Sequence, residues 1–235
     1  MPHPLAWLAL VTGALAAMHP AATQDPLTRA RRQMVAEQIA KRDVRDTATL
    51  RAMLAVPRHE FVPAELRANA YADFPLPIGH GQTISQPYIV AFMTAQLRLT
   101  PRSRVLEVGT GSGYQAAVLA EIAGEVYTIE ILPPLAQEAA ARLQRLGYGR
   151  VHVRTGDGYN GWPEAAPFDA VIVTAAAGFV PPPLVEQLRP GGRMVIPVGE
   201  VGGVQELMLI EKAADGRTTT RTLIPVRFVP LTGRH

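Results

Sequence analysis

Three short motifs in this sequence place glycines and carboxylates where a nucleoside could be held. The first is Val105–Tyr114, VLEVGTGSGY, in which an apolar run leads straight into Gly109, Gly111 and Gly113. Glycines at the end of a buried strand let the backbone turn with positive φ and approach a ligand closely. The second is Glu130, at the end of the run VYTIEI, twenty-one positions after Gly109. An acid at that distance can accept both hydroxyls of a ribose, although a carboxylate there could also cap the helix that begins near Pro133. The third is Gly156-Asp157-Gly158. Asp157 can accept from an adenine amino group, or it can be an ordinary Asp-Gly turn. The third glycine of the first motif comes two residues after the second, unlike the G-x-G-x-x-G that cradles a pyrophosphate, and no Gly-Lys-Ser/Thr follows. The combined expectation is a nucleoside ligand without a phosphate site.

The elements that must position these groups alternate. Strands are expected at 104–108, 126–131, 151–154, 170–174 and 193–197, separated by helices at 113–122, 134–146 and 182–188. This order predicts an α/β, Rossmann-like, doubly wound and mostly parallel sheet with helices on both faces. The runs 205–212 and 218–229, joined by Ala-Asp-Gly at 214–216, predict a C-terminal β-hairpin. Ahead of the core lies an N-terminal helical appendage, with helices over 26–42 and 47–55. The proline-bounded VPRHEFVP at 56–63 follows, and then PLPIGHGQTISQP at 75–87, too rich in Pro and Gly to suggest regular structure. Pro87 should open a helix that runs to about Leu97.

The chain has 235 residues, 48% hydrophobic and 18% charged, which excludes a disordered chain or a coiled coil. With no cysteine there is no thiol nucleophile and no cysteine-ligated metal. The net charge of +3 comes from scattered arginines, weak support for a nucleic-acid surface. Residues 5–17, LAWLALVTGALAA, are too short to span a bilayer and resemble the apolar stretch of a secretory signal, though no Lys or Arg precedes them. The expected organisation is a signal-like or disordered segment at 1–24 and one domain over 25–235. Within that domain, 25–100 form the lead-in and substrate loop, and 101–235 the core with its β tail. The amino-terminal segment precedes every motif and is expected to be dispensable for catalysis.

VLEVGTGSGY, Glu130, GDG, FDAVIVTAA (168–176) and LRPGGRMVIPVG (188–199) together resemble the S-adenosylmethionine-dependent methyltransferases. VPRHEFVP, GHGQTISQP and the closing RFVPLTG (227–233) resemble, more narrowly, the protein-L-isoaspartate O-methyltransferase family. That resemblance runs from about Met34 to Gly233. It implies S-adenosylmethionine as methyl donor, with Glu107, Gly109, Thr110, Gly111, Gly113, Glu130, Asp157 and Gly158 holding it. It also implies methylation of the free α-carboxylate of L-isoaspartyl residues in damaged proteins, which starts repair through a succinimide; a methyltransferase of another acceptor, or a protein that only binds S-adenosylmethionine, is the alternative. Ser85 is then the catalytic candidate, donating its hydroxyl to the substrate carboxylate, with Thr83 beside it and Thr232 closing over the site. Ser85 before Gln86-Pro87 also reads as a helix cap. His80 is a poor base candidate, since this reaction needs none, and His59 is expected to anchor its loop. No metal, nucleic acid or stable membrane partner is expected, and the chain is expected to act as a cytoplasmic monomer. Export through residues 5–22 is the alternative.

Overall fold

The computed structural model describes residues 25–200 and 202–233. The signal-like stretch therefore lies outside the described residues. The core is a seven-stranded sheet of β3 (Arg104–Val108), β4 (Glu125–Glu130), β5 (Val151–Thr155), β6 (Phe168–Val173), β7 (Leu188–Val198), β8 (Gln205–Lys212) and β9 (Thr218–Val226). Its order is β5-β4-β3-β6-β7-β8-β9. Strands β3 to β7 run parallel, while β8 and β9 return antiparallel as the C-terminal hairpin. The chain therefore leaves β3 in one direction for β4 and β5, and later fills the other side with β6 and β7. The crevice between β3 and β6, at their carboxyl ends, is the topological switch point where open α/β sheets bind ligands.

Alternation along the strands explains why both faces are covered. Val105, Ala170, Ile172 and Val195 enter one apolar cluster, while Leu106, Val171, Val173, Met194 and Ile196 enter the other. The first face carries α4 (Tyr114–Ala120), α5 (Pro133–Arg145) and the whole lead-in. The second packs on Leu184 of α6 (Pro182–Glu186) and on Ala165 and Trp162. β7 starts five residues earlier than its apolar run suggests, because Leu188 already pairs with Phe168 before an irregularity in the register.

The lead-in differs from expectation in three places. The helix expected over 26–42 is α1 (Pro26–Gln33), continued to Ala40 as a π-helical stretch; its buried face is Met34, Val35 and Ile39. α2 (Thr47–Ala55) follows as expected, capped by Asp46 through Thr49 N at 2.7 Å. VPRHEFVP is wound into a 3-10 turn over Arg58–Phe61 rather than an open loop. The stretch expected to be irregular contains an antiparallel pair, β1 (Leu76–Gly79) and β2 (Gln82–Ile84). Gly79, His80 and Gly81 all have positive φ, so the glycines that argued against regular structure are the turn of a hairpin. α3 (Pro87–Gln96) then begins at its proline. Among the described residues no helix is long and apolar enough to cross a membrane.

Candidate active site

The glycine turn leaves β3 at the switch point and is clamped from the neighbouring strand. Thr174, just past β6, donates its hydroxyl to Val108 O (3.0 Å) and Gly109 O (2.6 Å). A Cβ on Gly109, whose φ is +97°, would collide with that hydroxyl. A Cβ on Gly158 would collide with the Val108 side chain. Both glycines are therefore required by close approach. Gly113, also left-handed, stands at the start of α4 and packs against Leu143 without lining the crevice.

The result is a crevice of about 780 Å³, its open mouth included. Thr83, Ser85, Gly109, Thr110, Gly111, Glu130, Gly158 and Thr232 all line it. Among the described residues its lining holds no Lys or Arg, which suits a ligand without phosphate. At Glu130 the two readings of the sequence coexist. Its Oε2 accepts from Gly111 N at 2.9 Å and its Oε1 from Leu132 N at 3.1 Å, so the carboxylate braces the glycine turn and the entry to α5. Each oxygen keeps further acceptor capacity for a hydroxyl.

Besides Gly113, two more of the expected residues stand outside the lining. Asp157 accepts from Tyr159 N at 3.0 Å, and its carboxylate lies hard against Gly233, so the C-terminal segment passes over it. Glu107 is fully buried beneath the turn. Its Oε2 accepts from Thr128 Oγ1 at 2.6 Å, Thr128 meets Thr110 Oγ1 at 2.7 Å, and Oε1 has no partner. Burial pushes the Glu107 carboxyl up to about 8; the Thr128 hydroxyl opposes this, and the charge of Glu130 adds to it. A carboxyl raised in the folded state makes the fold bind more protons than the unfolded chain. Its stabilising contribution is complete below pH 4.5 and lost as pH rises toward about 8, at up to about 1.4 kcal/mol per pH unit. Melting curves from pH 5 to pH 8 should therefore fall with pH in the wild type and fall less in Glu107→Gln. Parallel curves would mean that Glu107 is already ionised in the fold.

Of the two readings of Ser85, the alternative one, a cap for α3, is not realised. The cap position belongs to Gln86, which makes no side-chain capping bond. The physical reason is Pro87: a proline in the first helical position puts the cap on the residue immediately before it. Among the described residues the Ser85 hydroxyl has no hydrogen-bond partner. Ser85 and Thr83 line both the crevice and a second cavity of about 960 Å³, its open mouth likewise included, bounded by Ile89, Val226 and Phe228. His80 is absent from both linings and faces Glu138 Oε1 at 3.3 Å. His59 anchors its turn through Nδ1 and the Tyr71 hydroxyl, 2.6 Å apart. Sequence reasoning assigned no role to Thr174, Gln82 or Tyr114, which also line the crevice. Thr174 was findable, since it sits at a strand's carboxyl end like the other site residues.

A glycine turn and an acid meet at the switch point of a Rossmann-like sheet, beside a crevice that lacks phosphate-binding cations. These features fit the class of S-adenosylmethionine-dependent methyltransferases. A profile described as protein-L-isoaspartate(D-aspartate) O-methyltransferase matches residues 29–235. A protein-L-isoaspartate O-methyltransferase of Opitutus terrae is 61% identical over 228 residues, covering 97% of this chain and 95% of that one. One from Cupriavidus necator is 52% identical and covers 100% and 94%. Among solved structures, a protein-L-isoaspartate O-methyltransferase superposes with a TM-score of 0.78 at 30% identity, over 86% of this chain and 66% of that one. A Plasmodium falciparum structure described as the same kind of enzyme, in complex with S-adenosyl-L-homocysteine, gives 0.69 at 26% identity, over 88% and 96%. The chain belongs to the protein-L-isoaspartate(D-aspartate) O-methyltransferase family, whose methyl donor is S-adenosylmethionine.

Proposed function

We propose that this enzyme methylates the free α-carboxylate of L-isoaspartyl residues in damaged proteins, with Ser85 holding that carboxylate. The observation that carries the reading is the position of Ser85 and Thr83 at the junction of the two cavities. One cavity holds the glycine turn and Glu130 for the nucleoside. The other offers Ile89, Val226 and Phe228 to the flanks of a peptide. S-adenosylmethionine supplies an already activated methyl group on a sulfonium. The acceptor needs no general base, since an α-carboxyl with pKa near ~3.5 is an anion at neutral pH. What remains for the protein is alignment and exclusion of water. A neutral hydroxyl suits this task. It orients the carboxylate without the ground-state stabilisation that a lysine would impose on a charge that disappears in the reaction.

In this proposal Gly109, Thr110, Gly111 and Gly158 shape the cofactor crevice, Glu130 takes the ribose hydroxyls, and Thr232 closes the mouth. Glu107 acts from beneath through Thr128 and Thr110. Residues 25–235 work as one domain. The cytoplasm is the compartment we assign, because S-adenosylmethionine is made there. Methyl transfer to paired peptides that differ only in isoaspartate or aspartate tests the activity. Methylation of the isoaspartyl peptide alone is expected, and equal or absent labelling of both would refute the reading. The same assay in excess chelator should proceed at full rate. The sequence has no cysteine, and no group of three or more His, Asp or Glu among the described residues could hold a metal. Loss of activity restored by a divalent ion would overturn the mechanism.

A further inference from the structure

Arg58 is the largest fully buried side chain among the described residues, and it has no carboxylate partner there. Its Nε donates to Ala70 O at 2.7 Å and its Nη2 to Ser85 O at 2.8 Å. The guanidinium carbon lies 4.8 Å from the centre of the Tyr114 ring. Tyr114 is the first residue of α4, lines the cofactor crevice, and is held edge-on by Phe61 at 5.5 Å. One planar group thus touches the loop that carries Ser85, the backbone at Ala70 and the aromatic floor under the glycine motif.

Stability alone does not explain such a residue. Burial lowers the Arg58 pKa to about 10, so the group keeps its charge at neutral pH. Nη1 is left without a partner. A buried cation without a counter-ion is costly, and an apolar side chain of similar volume commonly serves a core better. A rigid fork that reaches two carbonyls on different segments while stacking on a ring is something only arginine provides. We propose that Arg58 is the positioning residue of the active site, fixing the Ser85 backbone relative to the floor of the cofactor crevice. This rests on the reading of Ser85 as the group that meets the substrate carboxylate.

The test compares wild type, Arg58→Met and Arg58→Lys. Met keeps the volume and loses every donor; Lys keeps the charge and loses the fork. At a temperature where each variant is folded, kcat on an isoaspartyl peptide should fall at least tenfold in Arg58→Met and less in Arg58→Lys. The Kd for S-adenosylhomocysteine should stay within threefold. In a Ser85→Ala background the same Arg58 change should have little further effect, because both act through one hydroxyl. Hydrogen exchange at the amides of residues 82–86 should accelerate at least tenfold in Arg58→Met while the central strands stay protected. A merely structural role predicts a lower melting temperature with unchanged kcat and full additivity with Ser85→Ala; that result would overturn the proposal. If Arg58→Met does not fold, Arg58→Lys decides alone, and unchanged kcat and loop exchange in it would refute the role. Wild-type inactivity on the peptide would refute the assigned substrate, leaving loop exchange to judge Arg58.

Discussion

Ser85→Asp is expected to abolish methyl transfer while leaving the melting temperature near that of the wild type. Ser85 is half-buried, caps no helix, and its hydroxyl engages no other described residue, so the fold asks little of it. The acceptor is a carboxylate that must reach the mouth of the cofactor crevice where Ser85 stands. A second carboxylate about 4 Å from it would repel it by roughly 4 kcal/mol at an effective dielectric near 20, about a thousandfold in rate. Ser85→Ala removes one hydrogen bond to a charged group, about 1.5–3 kcal/mol, or roughly 10- to 150-fold. Ser85→Asn keeps a neutral donor and should fall between Ala and wild type. Cofactor affinity should move little across the series. Thermal melts, titration with S-adenosylhomocysteine and isoaspartyl-peptide methylation on the three variants check this. An Asp variant with near-wild-type turnover would remove Ser85 from the reaction.

How far the sequence foretells this site depends on what each residue's role requires. The strands and the glycine turn were readable because period-two burial and strand-end glycines are local signals; Val105 and Leu106 already point to opposite faces. Pro87 also marks the helix start, and it places the cap on Gln86 by a local rule that the side-chain preference of Ser85 obscures. The hairpin at 76–84 was hidden because Gly79 and Gly81 signal a turn, while the strands beside them are only three or four residues long. Asp157 depends on a distant event. Whether its carboxylate faces a ligand is decided by the tail at Gly233, which no spacing near Asp157 reveals. Arg58 was the least legible. Arginine is ordinarily exposed, so its burial follows only from the meeting of Ala70, Ser85 and Tyr114 in three dimensions.

Glu130→Ala is expected to weaken S-adenosylhomocysteine binding about 30- to 150-fold without unfolding the protein. The loss has two sources. The first is direct: a carboxylate hydrogen-bonded to ribose hydroxyls is worth about 2–3 kcal/mol. The second is visible in the geometry of the turn. Gly111 N and Leu132 N lose their acceptors, so the glycine turn and the entry to α5 lose the brace between them. Water entering the open crevice can satisfy both amides, which is why the fold should survive. Glu130→Gln separates the two sources. Its carbonyl oxygen can serve one of the two amides, while its NH2 group accepts nothing, so both the ribose contact and the brace are halved rather than lost. Affinity intermediate between Ala and wild type is therefore expected. The kinetic signature should be the reverse of the Ser85 series: a large change in cofactor Kd, with turnover at saturating cofactor much less affected. Calorimetric titration of the two variants decides the matter. Unchanged affinity in a folded Glu130→Ala protein would leave Glu130 as a brace for the turn, with no part in holding the nucleoside.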